Sequence, residues 1–222
     1  MDDFSKFNPE LLRILREGNQ QKISEYLFEN LDTAQSLLSS ISRSFKTECN
    51  NILDMVLDKI YDEKDFVGAI GLINQGLSLK ENDFEVQWFK LRSECNLQLL
   101  NYFDAKNDIN QAIKNLQDNL PIDYFGLSEC YIKLADINIL LKNFNEAKTD
   151  EHNALEKINL GIQKLLNQEP IDNGELSAYF SSRCLIKERI GDINGANLDR
   201  ELSESFDKKH KIENPECDDL PF

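Results

Sequence analysis

Four segments of this chain can be laid over one another without a gap. They are KDFVGAIGLINQGLSL (64–79), LNYFDAKNDINQAIKN (100–115), KNFNEAKTDEHNALEK (142–157) and GDINGANLDRELSESF (191–206). The second place is Asp or Asn, and the third is Phe66, Tyr102, Phe144 or Ile193. The sixth is always alanine: Ala69, Ala105, Ala147 and Ala196. Seven residues later stands a small residue: Gly76, Ala112, Ala154 or Ser203. Positions seven apart lie two helical turns apart, on one face. Side chains this small let a second helix approach closely, so these residues mark where helices touch rather than where chemistry happens. The large residue just past the turn is expected to pack between the two helices of a hairpin. The Asp or Asn beside it is expected to cap the second helix by accepting its free N–H groups.

Elsewhere apolar residues recur at helical spacing, as in Ile52, Leu53, Val56, Leu57 and Ile60, and no strand-like alternation of useful length occurs. The class is all-α. Helix breaks are expected at Gly18-Asn19, Leu31-Asp32, Lys46-Thr47, 63–65, 80–83, Leu100-Asn101, 119–123, Lys142-Asn143, 167–174 and Gly191-Asp192. About eleven helices follow, joined by short connections that make neighbours antiparallel. Residues 1–47 read as an N-terminal helical cap, a degenerate hairpin plus one helix; 48–211 carry the repeats; 212–222 read as an acidic, disordered tail.

The turn, the alanine and the small residue seven places on resemble the tetratricopeptide repeat, a 34-residue helix–turn–helix unit. The fourth segment is especially similar, with Arg183 and Cys184 in the helix before it and Gly191-Asp192 at the turn. The resemblance covers roughly residues 48–207. It implies an α-α superhelix of about four hairpins, an array that needs capping at its ends. Spacings between the key alanines are 36, 42 and 49 residues. The excess over 34 belongs to the 118–124 loop and to a long helix ending near Asn167, so the stack is expected to be irregular.

Charge and motifs narrow the function. The formal net charge is −15, from 25 basic and 40 acidic residues. Such a chain is repelled by phosphate backbones and attracts basic partners. No apolar run reaches the length of a membrane span, and the acidic N-terminus lacks a signal's apolar region. There are five cysteines and no CxxC pair, and the four inside expected helices read as small apolar residues in a reducing, cytoplasmic setting. His152 and His210 read as surface residues. Nothing matches a HExxH, GxSxG, phosphate-loop or EF-hand pattern, so neither an enzyme nor a cofactor or metal is expected. The wealth of Asn, Lys, Ile and Asp fits an AT-rich, bacterial gene.

The resemblance also implies a concave face lined by the first helix of each hairpin. Its register places Asp54, Met55, Asp58, Tyr61 and Asp62 there, then Lys90, Leu91, Glu94 and Gln98. Glu129, Ile132, Lys133 and Asp136 follow, then Ser181, Ser182, Leu185 and Arg189. One subgroup of the family clamps a chaperone's acidic C-terminal peptide with Lys, Asn and Arg. Here Asp54, Asp58, Glu94 and Asp136 stand at the corresponding places and would repel a carboxylate. The expectation is a non-catalytic scaffold, adaptor or chaperone-like module that binds a basic or amphipathic protein segment in a partly acidic groove. The alternative is an immunity- or inhibitor-type protein that neutralises one basic enzyme or toxin.

Overall fold

The structure, a computed structural model, describes residues 31–214 together with the isolated helical residues 13, 22 and 26. The expected N-terminal hairpin at Gly18-Asn19 and the tail 215–222 lie outside the described residues. Among the described residues eight α-helices run in order: α1 (Leu31–Leu57), α2 (Phe66–Ser78), α3 (Asn82–Gln98), α4 (Tyr102–Asp118), α5 (Tyr124–Leu140), α6 (Phe144–Leu166), α7 (Asn173–Ile190) and α8 (Ile193–Glu213). A π-helical turn, Asp58–Asp62, extends α1. Each helix packs chiefly against its neighbours in sequence, which is the signature of an all-α superhelix built of stacked hairpins. The hairpins are α1/α2, α3/α4, α5/α6 and α7/α8.

Two boundaries differ from the sequence expectation. The break at Lys46-Thr47 does not occur; α1 runs through it for 27 residues, so the expected cap boundary falls inside a helix. Polar residues and a β-branched threonine weaken a helix, but Cys49, Ile52 and Val56, all buried, carry the packing face onward. At the other end α8 continues to Glu213, past the expected start of the tail.

The turns explain the first place of the repeat. Lys64, Leu100, Lys142 and Gly191 all have left-handed backbone, with φ of 57°, 63°, 62° and 84°. Three of these hairpin turns close with paired bonds, such as Leu100 N–H to the Leu97 carbonyl and Asn101 N–H to that of Asn96. This is the Schellman arrangement, which satisfies the last carbonyls of the first helix. Capping of the second helix divides by residue type. Asp65 and Asp192 accept from the N–H of Gly68 and Gly195, each at 2.9 Å. Asn101 and Asn143 make no side-chain capping bond, a correction to the expected role.

The four key alanines are at most 3% exposed, and Ala112 and Ala154 are fully buried. Gly76 is set where a Cβ would stand 2.7 Å from the ring of Trp88, so only glycine lets α2 meet α3 there. Ser203 is half-buried and exchanges hydrogen bonds with Ser177 across α7/α8. The large residue at the third place does not behave uniformly. Phe66 packs against the α1–α3 cluster and Tyr102 is half-buried, whereas Phe144 and Ile193 are 59% and 56% exposed. In those two hairpins the interior is filled from other positions. Three apolar clusters run along the stack. They are centred on Ile52, Ile73 and Trp88, on Ile109, Leu127 and Ile137, and on Ile158, Leu176 and Phe180.

Candidate functional site

The first helices α3, α5 and α7 are tied side by side by ion pairs. Lys90 on α3 reaches Glu129 on α5 at 2.9 Å, and Lys133 on α5 reaches Glu94 on α3 at 3.6 Å. Arg189 on α7 reaches Asp136 on α5 at 2.7 Å and Glu151 on α6 at 3.3 Å. Six of the residues selected from sequence are thereby gathered on one face. Their charges cancel in pairs, however. Glu94, Glu129 and Asp136 are each paired with a cation of a neighbouring first helix.

Other acids selected from sequence lie at one end of the face. Asp54 on α1 and Asp58 and Asp62 on the π-helical turn are exposed and form no ion pair with a described residue. Tyr61, on the same turn, is 52% exposed with the Lys64 ammonium 5.8 Å from its ring centre. The negative charge of Glu94, with partial burial, raises its hydroxyl above the usual tyrosine value. Tyr61 therefore sits within the field of Glu94 on α3. Wide turns of this kind re-aim side chains and recur at functional sites. The other residues placed on this face by resemblance include Met55 and Leu185, both exposed.

Between α3, the end of α4 and the start of α5 lies a cleft of ≈ 820 Å³. Val86, Leu91, Leu116 and Leu120 give it apolar surface, while Gln87, Asn119 and the Lys90, Glu94 and Lys133 ladder give it polar edges. Leu120 is 84% exposed at its rim, in the loop that lengthens this repeat. The cleft thus offers an apolar strip bordered by amides and by both signs of charge. An open cleft with an apolar strip and polar edges suits an extended peptide better than a small metabolite.

Charged groups inside the hairpins are a second set, and reasoning from the sequence missed them. Arg92 on α3 forks onto Asp108 on α4, with Nη2 at 2.6 Å, while its Nη1 donates to Asn74 on α2 at 2.6 Å. Arg183 on α7 repeats this with Asp199 on α8 at 2.6 Å and with Asn159 on α6 at 2.8 Å. Asn96 also donates to Asp108, and Lys187 sits 2.9 Å from Asp199. The aspartates occupy the ninth place of the aligned segments, as Asp108, Asp150 and Asp199. That column was the available signal. Burial alone would push the Asp199 carboxyl up, but hydrogen bonds from Arg183 and Lys187 outweigh it and hold the group below its ordinary value.

The cysteines among the described residues are shielded. Cys49, Cys95, Cys130 and Cys184 are buried and unpaired, and burial raises the Cys95 and Cys130 thiols to about 11, leaving them protonated at neutral pH. His152 is exposed, its ring bonded to the Lys148 carbonyl, while His210 is half-buried against Gly174. Among the described residues no group of His, Cys, Asp and Glu is placed to hold a metal ion. Among them, too, no helix is long and apolar enough to cross a membrane.

No protein-family model and no curated protein matches the sequence. Among solved structures the chain is similar to MamA, at 12% identity and a TM-score of 0.43, over 86% of this chain and 96% of that one.

Proposed function

We propose that the chain is a non-catalytic scaffold whose first-helix face holds an extended segment of a partner protein, with the cleft between α3 and α5 as its centre. The observation that carries this reading is the cleft itself. It places apolar surface from Val86, Leu91, Leu116 and Leu120 beside a rail of paired charges. An apolar strip gives a peptide its anchoring side chains, and flanking amides and charges fix its direction. The exposed acids Asp54, Asp58 and Asp62 then set polarity, drawing the basic end of the segment towards α1. The charge preference comes from that end of the face, not from the whole groove. The opposed charges at Lys90–Glu129 and Glu94–Lys133 can open and re-pair with a ligand at low cost, because half-exposed pairs hold one another weakly.

The test is site-specific photo-crosslinking in the source cells, with benzoylphenylalanine at position 87 in the cleft and at position 201 on α8 as the control. A defined adduct from position 87 that is absent from position 201, and is lost with Leu120→Asp, is the expected result. Equal labelling from both positions would refute the cleft as the binding centre. An adduct to a single basic enzyme, silenced in stoichiometric complex, would replace the scaffold with the inhibitor reading that the −15 charge also motivates.

A further inference from the structure

The α5/α6 hairpin lacks an arginine that its neighbours have. Sixteen residues before Asp108 stands Arg92, and sixteen before Asp199 stands Arg183; sixteen before Asp150 stands Leu134. Asp150 is nevertheless buried, at 8% exposed. One of its oxygens, Oδ2, accepts from Asn138 at 2.7 Å. No described residue donates to the other, and Asp150 lines a cleft of ≈ 400 Å³ between α4, α5 and α6. Burial raises its carboxyl above the ordinary value, because Asn138 and the charge of Lys106 do not offset the lost hydration.

The rest of the guanidinium receptor is present. In the α3/α4 hairpin it has three parts: the Asp108 carboxylate, the Asn96 amide and the Asn74 amide of the preceding second helix. In the cleft the corresponding groups are Asp150, Asn138 and Asn110. Asn110 follows Ala105 by five residues, as Asn74 follows Ala69. The Asn138 amide is already oriented, since its oxygen accepts from Lys106 at 2.8 Å and its nitrogen donates to Asp150. Lys106 also pairs with Glu146 at 2.5 Å, and the cleft's charged groups, Lys106, Glu146 and Asp150, sum to a single negative charge.

We infer that this cleft on the second-helix face is a binding site for a guanidinium group, supplied as an arginine side chain of a partner protein. The planar fork would enter between Lys106 and Thr149, set Nε and Nη2 on Asp150 and turn Nη1 towards Asn110, as Arg92 does within its own hairpin. A lysine ammonium lacks the second donor plane and cannot serve both groups at once. The site is separate from the first-helix cleft and stands or falls independently of it.

The experiment is a titration of the 15N-labelled full chain with N-acetyl-arginine methylamide, with N-acetyl-lysine methylamide as the control at equal ionic strength. Saturable amide shifts at Asn110, Asn138 and Asp150 with the arginine probe alone are expected. Asp150→Asn should weaken that response at least tenfold. Leu134→Arg should abolish it, because the chain would then carry its own guanidinium. Equal responses to both probes, no saturable shift, or an unchanged response in Asp150→Asn would overturn the inference. Should Leu134→Arg fail to fold, the Asp150→Asn comparison decides alone.

Discussion

The first-helix face and the hairpin interiors use the same chemistry to opposite ends. On the face, Lys90, Lys133 and Arg189 meet Glu129, Glu94 and Asp136 with side chains between 31% and 51% exposed. Inside the hairpins, Arg92 and Arg183 meet aspartates that are 3% and 1% exposed. Water screens the first set, so each pair contributes little to stability and is free to exchange partners. The second set is desolvated, so each member depends on the other being there. A cation beside a carboxylate is therefore a rail in one place and a bolt in the other, and exposure decides which.

Removing a bolt should produce the largest effect. Asp199→Ala strands both Arg183 and Lys187 beside a buried hole and should cost about 3–5 kcal/mol, read by denaturant unfolding. Less costly is a purely steric break of the same interior. A Cβ on Gly161 would stand 2.1 Å from the Tyr179 ring, which is itself held edge-on by Phe125 at 5.1 Å. Gly161→Ala should then cost roughly 1–3 kcal/mol, and Tyr179→Leu should recover part of it. A loss as small as that of an open surface site would mean that α6 and α7 are not closely packed there.

Acid separates Asp150 from Asp199 by sign. Asp199 has a lowered carboxyl, so its contribution is complete above the unfolded value of about 3.9 and disappears as pH falls through the lower folded value. Asp150 has a raised one, so it gives up an unfavourable charge as pH falls through its folded value, and stability from this group rises. Asp199→Asn should flatten the acid limb of the stability curve, while Asp150→Asn should stabilise near neutrality and steepen that limb relative to wild type. The two variants moving together would erase the distinction between a satisfied and an unsatisfied hairpin. The smallest effect belongs to the rail. Lys133→Gln should change unfolding by about 0–1 kcal/mol, and 0.5 M salt should reduce even that.

What could be read in the sequence was what space dictates. Where two helices touch, only Gly, Ala or Ser fits, so Ala69, Gly76, Ala105 and Ala154 announce the hairpins without reference to any partner. The class, the turns at Leu100 and Lys142 and the long helix ending near Asn167 follow from that. The buried network was not read because an aspartate within a helix looks solvated until its arginine, sixteen residues back across a turn, is placed beside it. Rail pairings were further out of reach. Lys90 and Glu129 are 39 residues apart, and their meeting depends on the lengths of two helices and two loops. The π-helical turn, which holds the buried Ile60, carried no such signal in the sequence.

The contact of Trp88 with Gly76 has one more consequence. It is the chain's sole tryptophan, 1% exposed, stacked on Phe84 at 6.1 Å, and its indole N–H meets no hydrogen-bond partner among the described residues. An indole held in so dry a place emits at short wavelength and shifts red only when water arrives. Its colour therefore reports the seam between the first and second hairpins and nothing beyond it, whereas helical circular dichroism averages the whole stack. If the array melts as one body the two signals will coincide at every temperature; if it peels, the order in which they change will name the end that lets go first.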